Sequence, residues 1–200
     1  GRAWRAALQR PVCLLASSRE GEEALWLQAL QTVSNGVHWL VVPRHPQRVD
    51  EVEAQLRHAG LKVSRRSAWD VSGPSSHAAA GVWLGDSLGE MALYYSLADV
   101  ALLGGSFAPL GGQNLIEAAA CACPVVMGPH TFNFLEAAEQ AEQAGAARRV
   151  SDMTAAVQTA LAWSGDAVGR QAAAENARAF TQTHQGATKR VAALVQEMLQ

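Results

Sequence analysis

The residues whose types and spacing could do chemistry are concentrated between positions 104 and 117: Gly104-Gly105-Ser106-Phe107-Ala108-Pro109-Leu110-Gly111-Gly112-Gln113-Asn114-Leu115-Ile116-Glu117. The apolar run Val100-Ala101-Leu102-Leu103 precedes them, and an alanine-rich segment reaching Cys121 follows. A strand that turns through glycines into a helix presents backbone N–H groups and the positive end of the helix dipole, which suits an anion such as phosphate. The spacing predicts that helix to begin near Gln113-Asn114, just after Gly112. Glu117 then lies one turn inside, where its carboxylate could accept hydrogen bonds from a ribose diol. Plainer explanations stand beside both readings. Glycines also relieve crowding in a tight loop that holds no ligand, and an acid in a first helical turn is favoured by the dipole alone.

Three other segments carry candidate groups. Pro43-Arg44-His45-Pro46-Gln47-Arg48 places a planar cation just beyond an apolar run, between two prolines that stiffen the turn. Arg44 there could grip a phosphate or carboxylate through two N–H groups, or simply solvate a loop. His45 has no nucleophile beside it to activate and is read as structural. Gly85-Asp86-Ser87-Leu88-Gly89-Glu90 is expected to open a helix over 88–97 capped by Asp86 or Ser87, and capping alone would account for it. Gly128-Pro129-His130-Thr131-Phe132-Asn133-Phe134 either lines a pocket for a sugar, with His130 in it, or plugs a helix end with its aromatic rings.

The elements that must position these groups follow from hydrophobic period. Apolar runs at 12–16, 37–42, 61–64, 81–84, 100–103 and 124–127 read as strands, with a short seventh at 146–150. Between them lie helical faces: Trp26, Ala29, Leu30 and Val33, ended by Asn35-Gly36, and then Val49, Val52, Leu56 and Ala59. Glu136, Glu139 and Glu142 mark the outer side of a later helix. Residues 1–10 read as a polar lead-in, and 65–80 as an exposed loop around Ser72-Gly73-Pro74-Ser75-Ser76. Beyond 150 the pattern is helical, with one face at Met153, Val157, Ala160 and Leu161 and another at Val191, Leu194, Val195, Met198 and Leu199. Gly165 and Gly169 mark a turn between them. Strands alternating with helices predict an α/β fold, a Rossmann-like parallel sheet with helices on both faces. Such sheets bind ligands at the carboxyl ends of their strands. Arg44, the segment at 88–90 and the glycine stretch all fall there, and that convergence strengthens the phosphate reading.

Composition narrows the classes. Of 200 residues 49% are hydrophobic and 17% charged, enough to bury a full core. A net charge of −2 leaves no electrostatic footprint for nucleic acid. The bases are arginines apart from Lys62 and Lys189. Cys13, Cys121 and Cys123 have no metal-ligand spacing, and Cys13 and Cys123 are expected as buried thiols. The first βα turn, Ala16-Ser17-Ser18-Arg19-Glu20-Gly21, has one glycine where a dinucleotide fold carries three, and no acid follows Pro43 to bind a ribose, which argues against a nicotinamide enzyme. No apolar stretch reaches membrane-spanning length and no signal peptide is read. The opening Gly1-Arg2-Ala3-Trp4 lacks Met, and the expectation is a piece of a longer protein.

Five segments then occur in an informative order: Ser17-Ser18-Arg19-Glu20-Gly21-Glu22-Glu23, Val42-Pro43-Arg44-His45-Pro46, Gly85-Asp86-Ser87-Leu88-Gly89-Glu90, Gly111-Gly112-Gln113-Asn114-Leu115-Ile116-Glu117 and the Gly128 to Phe134 segment. Over roughly residues 11–150 the chain resembles the C-terminal half of the bacterial 3-deoxy-D-manno-octulosonic acid (Kdo) transferases of lipopolysaccharide synthesis. The resemblance implies the nucleotide-sugar half of a two-domain GT-B glycosyltransferase, a single donor-binding domain with a core over about 11–150 and a helical segment over about 151–200. It implies binding of CMP-Kdo as substrate, an inverting transfer without metal or cofactor, and contacts to CMP from Pro43, Arg44, Leu88, Gly89, Glu90, Asn114, Leu115, Ile116 and Glu117. Gly112, Gln113 and His130 would complete the donor pocket. The catalytic base and the acceptor, a lipid A precursor (lipid IVA), would belong to an N-terminal half this chain lacks. Any membrane contact, at the cytoplasmic face of the inner membrane, would run through that half, leaving this chain soluble. Departures from the family pattern are Arg19 for a usual His, Ser18 and Ser87 for frequent Thr, Gln47 for Glu, and Glu117-Ala118 for Glu-Pro. The rival expectations are a GT-B donor domain for a UDP- or GDP-sugar and a non-catalytic α/β module.

Overall fold

A computed structural model describes residues 1–33, 36–74 and 81–184. Asn35, the 75–80 part of the expected loop and the expected face from Val191 to Leu199 lie outside them. Seven parallel strands form one sheet in the order β3-β4-β2-β1-β5-β6-β7. They are β1 (Val12–Ser18), β2 (His38–Pro43), β3 (Lys62–Arg65), β4 (Gly81–Leu84), β5 (Val100–Leu103), β6 (Val125–Met127) and β7 (Ala147–Arg149). β1 is central. The chain builds outward from it on one side through β2 to β4 and then returns to β5 on the other, so the switch point lies between β1 and β5.

The alternation along β1 shows how the sheet is buried on both faces. Leu14 and Ala16 point into one core; Cys13 and Leu15 point into the other. The first core is closed by α1 (Arg2–Ala7), α4 (Met91–Leu97), α5 (Ile116–Ala120), α6 (Leu135–Gln143) and α8 (Ala167–His184). The second is closed by α2 (Glu22–Leu30), α3 (Val49–His58) and α7 (Met153–Gly165). The predicted faces are the ones buried: Trp26 and Ala29 on α2, Val49, Val52 and Leu56 on α3, Met153, Val157 and Ala160 on α7. Trp26 meets Trp39 edge-on at 5.4 Å, a geometry worth about 1 kcal/mol beyond the area it buries. Ala177 and Phe180 of α8 join the first core, so the strands and the helices beyond residue 150 share their packing.

Four segments depart from the sequence expectation. Residues 2–7 form α1 where a polar lead-in is expected, because Arg5 pairs with Asp99 at 2.6 Å and Trp4 packs against the core. The same Asp99 carboxylate accepts the Val12 N–H at 2.8 Å and meets Arg170 of α8 at 3.3 Å, tying both ends of the described chain to the amino end of the sheet. α4 begins at Met91 and not at Leu88, since Gly89 has φ +75° and breaks the helical path; neither Asp86 nor Ser87 caps it. α5 begins at Ile116 and spans five residues. Within the expected loop, residues 66–68 form a 3-10 turn.

Candidate functional site

The carboxyl ends of β1 and β5 meet at Gly104, and a second close-packed glycine, Gly111, shapes the loop that follows β5. A Cβ on Gly104 would lie 2.2 Å from the Ser17 carbonyl oxygen, so β5 turns hard against the end of β1. A Cβ on Gly111, at φ +86°, would lie 2.2 Å from Asn133 Nδ2. The loop between them is pinned from outside: Asn133 donates to the Leu110 carbonyl at 3.1 Å and its backbone N–H donates to the Gly111 carbonyl at 3.0 Å.

Its first half does not receive a ligand. Glu22, fully buried at the start of α2, accepts N–H groups from Gly105 at 2.7 Å, Phe107 at 3.0 Å and Ala108 at 3.3 Å, and also from Arg19 at 2.9 Å. The chain's own carboxylate therefore fills the anion cradle that Gly104-Gly105 offers. Beside it, buried Glu23 accepts the Ser18 hydroxyl at 2.7 Å and a two-pronged contact from Arg48 at 2.9 and 3.1 Å. Together these fix α2, α3 and the glycine loop to one another. In the sequence Glu22-Glu23 appear only within the Ser17 to Glu23 segment; two adjacent acids there, one of them on the face of Trp26, are the signal that they are buried and partnered.

The second half of the loop opens on a cavity of about 520 Å³, within the usual range for small-ligand sites. Arg44, Gly89, Gln113, Asn114 and Glu117 line it, with Ser17 at the end of β1 and Met91, Tyr95 and Cys121 beneath. Five of the sequence-predicted residues are thus brought together from four elements. Arg44 is exposed, and its guanidinium has no ion pair or hydrogen bond among the described residues; the same holds for the Glu117 carboxylate. Asn114 accepts the Ile116 N–H on its Oδ1 at 3.0 Å, a local turn leading into α5. Because α5 is a single short turn, its dipole is smaller than a full helix would supply, and Arg44 carries more of the positive potential.

The other predicted residues are placed differently. Pro43 and Leu88 border a smaller adjoining cavity, about 110 Å³, that shares Ser17, Arg44, Gly89 and Met91 with the first. Glu90 is paired with Arg66 at 3.0 Å and accepts the Ser87 hydroxyl, so its carboxylate is already engaged. Leu115 is 1% exposed and Ile116 packs against the same core, which leaves only their backbone within reach of a ligand. Gly112, buried at φ +77°, shapes the loop and donates its N–H to Gly105. His130 lines a separate cavity of about 410 Å³ with Phe132, Leu135 and Arg149, away from Arg44. Met91 and Tyr95 carry no site signal in the sequence, and Ser17 only that of a polar pair, Ser17-Ser18, ending an apolar strand.

Chemically the cavity is equipped to hold an anion. One cation, one free carboxylate and several amides line it. Burial pushes the Tyr95 phenol up, so it stays protonated at neutral pH. Among the described residues no cluster of acids, histidines and cysteines could hold a metal ion.

No protein-family model matches the chain. A 3-deoxy-D-manno-octulosonic acid transferase of Bordetella pertussis is 49% identical over 205 residues, covering 100% of this chain and 47% of that protein. The chain spans less than half the length of the curated relatives it matches. The crystal structure of the C-terminal CMP-Kdo binding domain of WaaA from Acinetobacter baumannii superposes with a TM-score of 0.79 at 32% identity, over 89% of this chain and 96% of that one. At the level of fold alone, Anabaena HepE, solved in complex with UDP, superposes with a TM-score of 0.64 at 17% identity, over 96% of this chain and 49% of that one.

Proposed function

This chain belongs to the family of 3-deoxy-D-manno-octulosonic acid transferases, with the fold of the C-terminal domain of a GT-B glycosyltransferase, and on that premise we propose that it binds CMP-Kdo as the donor half of such an enzyme. The observation that carries the reading is the meeting of Arg44, Asn114 and Glu117 around one cavity at the switch point of the sheet. Arg44 would bind the phosphate of CMP, Glu117 the ribose hydroxyls, and Gly89 with Gln113 would border the nucleotide. A single cation suits a monophosphate donor better than a diphosphate, whose extra charge asks for more donors.

In transfer, an acceptor hydroxyl bonds to the anomeric carbon while the bond from that carbon to the phosphate oxygen breaks, and CMP departs with the electron pair. Negative charge grows on the phosphate as it leaves, and Arg44, which lines the cavity, would stabilise it. The proton leaves the acceptor to a base on the other half of the enzyme, which also binds the lipid A precursor and brings the reaction to the inner membrane. No metal takes part. No described helix is long and apolar enough to cross a membrane. The test is thermal unfolding of this chain with CMP, UMP and UDP at equal concentrations, since a ligand of the folded state raises stability with its affinity. CMP should raise the midpoint most. A larger effect of UDP would favour a UDP-sugar donor, and no effect of any nucleotide at millimolar concentration would leave a non-catalytic module.

A further inference from the structure

Ser17 stands where neither the strand nor the turn asks for a serine. β1 pairs with β2 in even parallel register from Val12 opposite His38 to Ala16 opposite Val42, and then Ser18 lies opposite Pro43. Ser17 is therefore an extra residue, a bulge at the carboxyl end of the central strand, and bulges of this kind re-aim a side chain beside binding sites. Its φ is +53°, in the left-handed region that a glycine enters freely and a serine only at a cost. The backbone on either side is immobilised: its carbonyl abuts Gly104, and the Ser18 carbonyl accepts the Arg44 N–H at 2.9 Å.

The strained conformation gives Ser17 a place in the lining of both the main cavity and the adjoining one, in each case together with Arg44 and Gly89. Among the described residues its hydroxyl meets only the Met91 thioether, at 4.0 Å, a weak acceptor that leaves its donor capacity largely unused. We propose that the Ser17 hydroxyl donates a hydrogen bond to a phosphate oxygen of the bound nucleoside monophosphate, beside the Arg44 guanidinium. The proposal rests on the nucleotide reading of the cavity. The end of the central strand at the switch point, next to the free cation, is where the charged part of a ligand belongs. A neutral donor there adds a directed bond without adding the charge that would favour a second phosphate.

The test is calorimetric titration of CMP, and NMR titration of cytidine, into the 200-residue chain and its S17A and S17G variants. Glycine takes the observed φ without strain, so S17G folds at least as stably as the wild type and separates binding from folding. Both variants should bind CMP more weakly by about tenfold or more, the loss of one hydrogen bond to a charged acceptor, while cytidine binds all three alike. Unchanged CMP affinity in S17G overturns the proposal, and so does an equal loss for cytidine, which would move the hydroxyl to the nucleoside. A wild-type chain that binds no CMP overturns the donor reading itself and takes this assignment with it.

Discussion

Glu22 and Gly105 stand 83 residues apart in the chain and are joined by a 2.7 Å hydrogen bond from the Gly105 N–H to the Glu22 carboxylate, in a buried setting. Phe107 and Ala108 donate to the other oxygen of the same group. A charge that a ligand could have brought is thus supplied by α2, and the glycine loop is shaped before any nucleotide arrives.

Removing that charge should unfold the loop. Glu22→Ala leaves one buried and two partly buried loop N–H groups without their acceptor, and a buried donor left unpaired costs about 1–3 kcal/mol. We expect a loss of roughly 3 kcal/mol or more in urea denaturation. Glu22→Gln, which keeps one acceptor oxygen, should lose less. An alanine variant within about 0.5 kcal/mol of wild type would show that the loop holds its shape without Glu22.

Arg44 predicts the opposite pattern. It is exposed and unpaired among the described residues, so Arg44→Ala should leave the thermal midpoint almost unmoved. CMP affinity should fall about tenfold or more, the worth of a charged contact to phosphate. Arg44→Lys should recover only part of it, since an ammonium cannot make the two-pronged contact. Equal CMP binding by wild type and Arg44→Ala would remove Arg44 from the site.

His38 sets a pH dependence. Its ring is buried, stacked on Trp83 at 4.6 Å, and burial, with Arg10 and Arg5 nearby, pushes its pKa down from 6.5 to about 4. The unfolded chain therefore binds the proton before the folded one does, and stability present above pH 6.5 is lost as pH falls toward 4. The loss between pH 7 and pH 5 should be roughly 2 kcal/mol by the linkage relation. His38→Phe should flatten this part of the urea-stability profile; a profile unchanged by the substitution would assign the acid sensitivity to other groups.

Thiol chemistry reports on the cavity. Burial holds the Cys13 thiol up at about 12 and Cys123 well above its ordinary value, whereas half-buried Cys121 lines the cavity. A thiol reagent should label Cys121 first in the folded chain and all three cysteines after denaturation. CMP should slow the first reaction. Labelling at an unchanged rate under saturating CMP would place the nucleotide elsewhere.

Strands β1, β2, β4, β5 and β6 were legible because each is a short apolar run closed by glycine, proline or serine, as burial on both faces demands; β3 and β7, at the two edges of the sheet, are more polar. Helix starts were not. Gly89 enters the left-handed region and delays α4 to Met91, a backbone choice that the types Asp86 and Ser87 do not reveal. α1 exists through Arg5 and Asp99, a pair 94 residues apart that no local period can show. In the site, Arg44 could be found because it directly follows the end of β2, and Glu117 because it lies in the first turn of the helix after the glycine stretch. Glu22, Ser17 and the true position of His130 could not, since they depend on which loops meet across the sheet.

The most direct measurement is a crystal structure of this chain grown with CMP. The account predicts the phosphate against Arg44 and the Ser17 hydroxyl, with the ribose on Glu117, inside the cavity bordered by Gly89 and Asn114. Density for CMP in the His130 cavity, or at Arg44 with the base where the phosphate is expected, would contradict it.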